Sequence, residues 1–329
     1  MHTRYGPPEV VRITEVEKPA VKHDQVLVRV HATTVNRTDC GLRAAKPFIV
    51  RFFIGLRRPR VTVLGNEFAG EIEAVGGEVT SFKTGDRVFG FNGDSFGAHA
   101  EYLVMDEDGL LATMPAGLTY EEAAPSTEGS HYARSLIISA KIQRGQDVLV
   151  NGATGAIGSA AVQLLKALGA NVTAVCDTAN LELVRRLGAG RVIDYTAEDF
   201  TRDEQTYDVV LDAVGKSSFG RCRRLLRPGG LYLSTDLGPL SLNPVLALVT
   251  PLLGGRRVRF PNPLRQDQAA VMRTVGELLS SGAFRPLIDR RYRLDQIVEA
   301  YSYVETGRKV GSVVIEVVPG PDEHPEQNQ

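Results

Sequence analysis

Residues 25–31 alternate apolar and polar side chains, the period of a strand with one face buried. Residues 68–75 and 86–91 carry further short β-type runs, bounded by Gly76-Gly77 and by Thr84-Gly85-Asp86, whose residues suit tight turns. Helical periodicity is scarce here, and residues 1–119 read as β-rich.

The rhythm changes near Thr119. An apolar run at 148–150 precedes a helical pattern over 159–168 that closes at Gly169. A strand at 172–176, a helix over Leu181–Leu187 closing at Gly188, and strands at 192–194 and 209–211 follow. A helix over 217–226 is predicted to end at Pro228-Gly229-Gly230, ahead of strands at 231–233 and 258–260. Strands alternating with helices imply a parallel sheet covered on both faces. After Pro263 the pattern predicts one amphipathic helix, 266–279, and a last strand, 312–318. The simplest topology returns that strand to the first region. The expected chain is α/β: a β-rich domain from residues 1–119 and 263–329, and a doubly wound parallel-sheet domain from 120–262. No internal repeat or low-complexity segment interrupts it.

The length of 329 residues suits two domains, and 43% hydrophobic with 23% charged residues is a globular composition. With 38 basic against 39 acidic residues the formal charge is −1, so neither nucleic acid nor a membrane is expected as a partner. The clusters Arg57-Arg58-Pro59-Arg60 and Arg256-Arg257 read as solvated surface. Cys40, Cys176 and Cys222 fit neither a disulfide framework nor a four-thiolate zinc site. Such sparse use of cysteine suits a reducing cytoplasm, the expected location. The N-terminus lacks the apolar core of a secretory signal, no apolar run is long enough to span a bilayer, and the polar tail 319–329 is expected to fray.

The strongest local signal is Val148-Leu149-Val150-Asn151-Gly152-Ala153-Thr154-Gly155-Ala156-Ile157-Gly158-Ser159, a strand, a glycine-rich turn and a helix start. Ala153, Gly155 and Gly158 match an A-x-G-x-x-G form of the dinucleotide fingerprint. At Gly155 the missing Cβ lets backbone N–H groups approach a pyrophosphate. At Gly158 it lets the helix pack close to the strand. The helix start adds unpaired donors and a partial positive charge. A tight structural turn is the plain alternative; the order of strand, turn, helix and second strand favours the dinucleotide. Asp177 ends the second strand, where a carboxylate can accept hydrogen bonds from ribose hydroxyls, which leans toward NAD. Residues 178–180 carry no cation for a 2′-phosphate, although Arg185 and Arg186 follow on the next helix. A helix N-cap is the other reading of Asp177, and NAD and NADP both stay open.

Gly145-Gln146-Asp147-Val148-Leu149, the loop and Gln163-Leu164-Leu165-Lys166 together resemble the quinone oxidoreductase signature, departing from it at Thr154 and Ala156. The stretch Gly65-Asn66-Glu67-Phe68-Ala69-Gly70-Glu71-Ile72-Glu73-Ala74-Val75-Gly76 resembles G-x-E-x-A-G-x-V-x-x-V-G of the medium-chain dehydrogenase/reductase superfamily. Val35-Asn36-Arg37-Thr38-Asp39 resembles the V-N-x-x-D of its zinc-free members. With residues 207–215 and 309–315, the similarity runs over nearly the whole chain. It implies a GroES-like catalytic domain, a Rossmann domain, a cleft between them for nicotinamide and substrate, and a homodimer or homotetramer. It also implies a cofactor set of Ala153, Thr154, Gly155, Ala156, Ile157, Gly158, Asp177, Asn180, Tyr195, Val214 and Gly215. Members of the family begin with a further strand ahead of Tyr5-Gly6-Pro7, so a short start is expected here.

By the same resemblance, zinc-dependent members carry Cys where Asn36 stands and His where Asn66 stands. An amide is a poor zinc ligand. The four-cysteine zinc lobe is missing and no histidine pairs with a cysteine at ligand spacing, so no metal is expected. Without a Lewis acid an alkoxide goes unstabilised, whereas charge spreading over a conjugated carbonyl needs only a few donors. The expected activity is an NAD(P)H-dependent oxidoreductase that passes hydride to a quinone, enone or related small apolar carbonyl acceptor. Two other readings stay open: a zinc-free ketone or alcohol redox enzyme using Tyr132 or His131, and a dinucleotide-binding protein with little catalysis.

Asn36 is the first candidate for a polar group at the nicotinamide, with a strand-end turn as its alternative; Asp39 orients local backbone or caps the next helix. Helical spacing puts Glu128 on one face with His131 or Tyr132, and the three form a candidate proton-donor set. A helix start with Glu near its positive end is the plainer reading. The apolar segments 47–54 and 244–253 are candidates for the substrate walls, for core or for a subunit interface.

Overall fold

A computed structural model describes residues 1–260 and 268–317 of the chain. The expected boundary at Pro263, the start of the 266–279 helix, residue 318 and the 319–329 tail lie outside the described residues. The strands are β1 (Gln25–Val35), β2 (Glu67–Val75), β3 (Arg87–Phe91), β4 (Tyr102–Asp106), β5 (Leu111–Thr113), β6 (Asp147–Asn151), β7 (Asn171–Cys176), β8 (Arg191–Asp194), β9 (Tyr207–Asp212), β10 (Leu226–Ser234), β11 (Arg257–Arg259), β12 (Ile288–Arg293) and β13 (Ser312–Glu316). The helices are α1 (Arg37–Ala44), α2 (Arg51–Ile54), α3 (Tyr120–Ala123), α4 (Thr127–Ala140), α5 (Ala156–Leu168), α6 (Leu181–Leu187), α7 (Phe219–Cys222), α8 (Asn243–Leu253), α9 (Gln268–Ser280) and α10 (Ile297–Glu305). They group into two compact units. One holds Met1–Thr127 with the described parts of Asp267–Ser280 and Leu287–Gln329; the other holds the described part of Glu128–Gln266, with Ser281–Pro286.

The first unit is the GroES-like one. Its seven-stranded sheet follows the path β12-β13-β1-β2-β3-β5, with β4 also on β1. Strand β1 runs antiparallel to β4 over Gln25–Arg29, to β2 from Val26 to Thr33, and to β13 over Ala32–Val35. Irregularities between Leu27 and Val28 and between Val30 and Ala32 bend it from one partner to the next, as bulges do. It is therefore buried on more than one face. Val26, Leu27, Val28 and Val30 are all buried and only Arg29 is exposed within 25–31. Helix α10 lays Ile297, Ala300, Tyr301 and Val304 on this core, against Val30, Phe68, Ile72 and Ile315 among others.

The second unit is the Rossmann one, with six strands in the order β11-β10-β9-β6-β7-β8, all pairs parallel. Strands β6 to β8 build outward on one side and β9 to β11 on the other. The winding therefore reverses between β6 and β9, the place where sheets of this kind bind ligands. Leu149, Val175, Ile193, Val210, Leu225 and Tyr232 belong to one buried cluster. Gln163 on α5 holds the excursion at 281–286: its Nε2 donates to the Arg285 carbonyl and its Oε1 accepts from Arg285 N, both at 3.0 Å.

Three expectations need correction. The helix expected over 217–226 shrinks to α7 and a 3-10 turn at Arg223–Leu225, because Leu226 already pairs with Tyr207 in the sheet and the residues up to Leu231 bulge out. The single helix expected near the C-terminus is joined by α10, and β12 was missed. That strand, Ile-Asp-Arg-Arg-Tyr-Arg, sits at a sheet edge, where polar side chains are tolerated and no apolar alternation is required.

Leu149 lies fully buried in the central strand β6. Replacing it by alanine is expected to cost about 2–5 kcal/mol, read as a lower urea midpoint with an unchanged slope.

Candidate active site

The fingerprint turn stands at the switch point. Gly155 is the N-cap of α5, extended at φ −72° and ψ 167°, and no side chain caps the helix there. The first-turn amides of a helix have no partner within it, so those of Ala156, Ile157 and Gly158 are donors for an anion. A Cβ on Gly158 would drive into the Gly152 carbonyl oxygen, so only glycine allows this approach of helix to strand. A Cβ on Gly155 would come no nearer than 3.6 Å, leaving that side of the turn open. Ala153 is buried and its N–H donates to Val175 O at 3.1 Å, continuing the strand pairing into the turn. The side chain of Val214 packs over Gly152, and Gly215, at φ 65°, lies against Asp236. These residues fit a dinucleotide pyrophosphate.

At the next strand ends, Asp177 follows β7 and occupies an N-cap position without capping through its side chain. Its Oδ1 instead accepts from Asn180 Nδ2 at 2.6 Å. Asp194, in register with Cys176, accepts from Thr178 Oγ1 at 2.6 Å and from Thr196, bonds that hold its carboxyl below the usual range. Tyr195 is exposed, with its N–H on Cys176 O. Sequence reasoning had not singled out Asp194.

In the first unit Asn36 is buried and caps α1. Its side-chain oxygen accepts from Asp39 N at 3.0 Å, while Asp39 Oδ2 accepts from Asn36 N at 3.0 Å. Both readings of Asp39 hold, since its Oδ1 also accepts from Gly65 N at 2.9 Å. Burial outweighs these two backbone bonds and pushes the Asp39 carboxyl up to about 7. Asn36 Nδ2 donates to Asn66 Oδ1 at 2.7 Å. Two amides bonded to one another are not a zinc donor set. Among the described residues, moreover, no three His, Cys, Asp or Glu side chains are gathered as a metal requires. The residues at 36 and 66 do not fit zinc.

Glu128, His131 and Tyr132 all lie on α4. The His131 and Tyr132 rings meet edge-on at 5.6 Å. Burial lowers His131 to about 4, and burial with the Glu128 charge raises Tyr132 to about 12. The phenol therefore keeps its proton and the imidazole stays neutral near pH 7. Gly129, which the sequence reading passed over, shows where this helix sits: a Cβ there would come within 2.7 Å of the Ala156 carbonyl at the start of α5. Tyr132 is one turn further along, on the same side.

With this geometry in view, residues 22–116 match the family described as "Alcohol dehydrogenase GroES-like domain" and residues 187–315 that described as "Zinc-binding dehydrogenase". A 2-methylene-furan-3-one reductase of Solanum lycopersicum is 33% identical over 97% of this chain and 78% of its own length. An NADPH-dependent alkenal/one oxidoreductase of Arabidopsis thaliana, chloroplastic, is 29% identical over 97% and 79%. The solved quinone oxidoreductase from Coxiella burnetii superposes with a TM-score of 0.86 at 26% identity, over 96% of this chain and 98% of that one. The chain is a quinone oxidoreductase-like medium-chain dehydrogenase/reductase.

A residue of this dehydrogenase/reductase that sequence reasoning missed organises the switch point. Asp212 ends β9 in register with Asn151 of β6 and is fully buried. It accepts from Asn151 Nδ2 at 3.0 Å, Tyr232 OH at 3.0 Å, Gly215 N at 3.0 Å and Ser217 N at 3.1 Å. Three strands and the 214–217 loop thus share one carboxylate. The available signal was an acid closing the apolar run Val209-Val210-Leu211 at a strand's carboxyl end. The apolar segments 47–54 and 244–253 are not simple core: Phe48, Phe52, Phe53, Leu248, Leu252 and Leu253 are exposed.

His131 binds its proton less readily when folded than in the free chain, so its contribution to stability is present above pH 6.5 and is lost as pH falls toward 4. Urea titrations are expected to show His131→Gln losing less stability over that window than the parent, by about 3 kcal/mol at pH 4. Parallel curves would remove the assignment.

Proposed function

We propose that this chain is an NAD(P)H-dependent oxidoreductase that passes hydride to a quinone, enone or related small apolar carbonyl acceptor. The observation that carries the reading is the uncapped, glycine-lined start of α5 at the point where the sheet reverses. The dinucleotide, when bound, supplies the hydride. The first-turn amides at 156–158 hold its pyrophosphate, and Asp212 fixes the loop of Val214 and Gly215 beside them. The Asn36 amide nitrogen carries a second hydrogen beyond the one given to Asn66, and in this reading that N–H meets the acceptor's oxygen. Tyr132, protonated at neutral pH, supplies the proton that completes reduction of a C=C bond, with Glu128 and His131 setting its surroundings. The names of the relatives, a furanone reductase and an alkenal/one oxidoreductase, support an acceptor whose charge delocalises. The same proposal includes a cytoplasmic homodimer or homotetramer working without zinc.

For the adenosine end we infer a preference for NADH. Asp177 and Asp194 put two carboxylates at neighbouring strand ends, which suits ribose hydroxyls and repels a 2′-phosphate. Arg185 on α6 is paired with Glu182.

Consumption of NADH with 1,4-naphthoquinone and with an alkenal, none with a saturated ketone, and no reduction of NAD+ by a saturated alcohol is the expected pattern. Tyr132→Phe should lower kcat with the alkenal by about 10²-fold and leave dinucleotide affinity unchanged. Tight NADH binding without turnover on any acceptor would refute the enzyme reading.

Asp177→Ala is expected to raise kcat/KM for NADPH relative to NADH by about tenfold, through KM. An unchanged ratio would assign cofactor choice to other residues.

A further inference from the structure

Between Cys40 and Asn66 the chain has no acidic side chain and six basic ones: Arg43, Lys46, Arg51, Arg57, Arg58 and Arg60. Arg43 is buried and pairs with Glu305, and Arg51 lies over the rings of Tyr5 and Phe48. The other four are exposed. The same stretch exposes Phe48 (62%), Phe52 (65%), Phe53 (77%) and Leu56 (54%). Large apolar side chains so exposed and so close together mark an interaction surface.

The segment is tied down. Tyr5 OH donates to Gly55 O at 2.6 Å, Gly55 N to Arg51 O at 3.0 Å and Arg60 N to Ile54 O at 2.8 Å. Phe48 and Phe52 stand edge-on at 6.2 Å. The backbone bonds are made within the element, so the phenylalanines are exposed by a fixed local fold.

We propose that residues 46–60 dock this protein on an anionic lipid surface. The phenylalanines enter the boundary between headgroups and acyl chains, and Lys46, Arg57, Arg58 and Arg60 bind lipid phosphates. Exposed cations beside aromatic side chains match both layers of such a surface, and the absence of any acid from 40 to 66 removes the repulsion that would oppose it. No helix among the described residues is long and apolar enough to cross a membrane, so contact of this kind is peripheral. The chain-wide balance of charge conceals the patch because it averages a strongly basic segment into an acidic remainder. The inference goes beyond the redox reading, and turnover of NADH does not bear on it.

The test is sedimentation of the full chain with vesicles of phosphatidylcholine alone and of an equimolar mixture with phosphatidylglycerol. Partition to the anionic vesicles is expected to be about tenfold higher or more and to fall at high salt. Both Phe52→Ser/Phe53→Ser and Arg57→Gln/Arg58→Gln should lose about tenfold while keeping the parent's thermal midpoint. Should the phenylalanine variant not fold, the parent's ratio between the two vesicle types decides alone. Equal partition to both, pelleting with neither, or a dimer that dissociates in the phenylalanine variant without vesicle binding overturns the proposal.

Discussion

A backbone carbonyl stands where a side chain at position 158 would begin. The contact between Gly158 and Gly152 brings α5 close against the end of β6, and that approach aims the first-turn amides at the sheet's switch point. Any larger residue would push the helix away and carry its partial charge with it. A second close approach supports the first: Gly129 lets α4 rest on the Ala156 carbonyl. Two helices thus converge on one turn almost bare of side chains. Glycine loses more backbone freedom on folding than other residues, so the turn needs support from around it. The Ala153–Val175 bond and the packing of Val214 over Gly152 supply part of it.

Buried polar groups give each unit its order, because an unsatisfied one is costly. Asp212 spends its lone pairs on donors from two other strands and one loop. Glu67, at the start of β2, accepts from Thr34 Oγ1 at 2.7 Å and from Thr127 Oγ1 at 3.1 Å. His99 joins the same unit: Nε2 lies 2.8 Å from the Thr34 carbonyl, which can only accept, so that nitrogen carries the proton and Nδ1 accepts from Tyr301 OH. Burial lowers His99 to about 4, so this tautomer persists across neutral pH. Asn36 sits within this framework with its oxygen on Asp39 N and its nitrogen on Asn66, and its amide plane is set before any ligand arrives.

What could be read in the sequence was local. Gly169 and Gly188 ended α5 and α6 where their left-handed caps lie, and the apolar runs of β6, β7 and β9 were legible because strands buried on both faces need no polar alternation. The edge strand β12 carried no such signal. The bulge that cuts short the 217–226 helix follows from pairing with Tyr207, far along the chain. The same holds for the site. Gly155 and Gly158 stand close together in the sequence, so the turn that opens α5 was legible there. Asp212 acts through Asn151 and Tyr232, and Gly129 through Ala156, so neither pattern exists until the fold brings the partners together. The cluster at Arg57 to Arg60 was visible, but its meaning depends on Phe52 and Phe53 being exposed beside it, which periodicity could not show.

The candidate groups limit the chemistry by the charge they can offer. Near neutral pH His131 is uncharged and Tyr132 is a protonated phenol, while Asn36 and Asn66 are amides. None of these supplies a full positive charge to a developing oxyanion. Hydrogen bonds from neutral donors are roughly half as strong as those from charged ones, so an isolated alkoxide would remain poorly stabilised. An acceptor that spreads the incoming negative charge through its own conjugated system asks less of the protein, and in the proposed reading an amide N–H and a phenol proton suffice. Neutral donors of this kind suit acceptors that spread charge, which agrees with the quinone and alkenal/one oxidoreductases that this chain resembles.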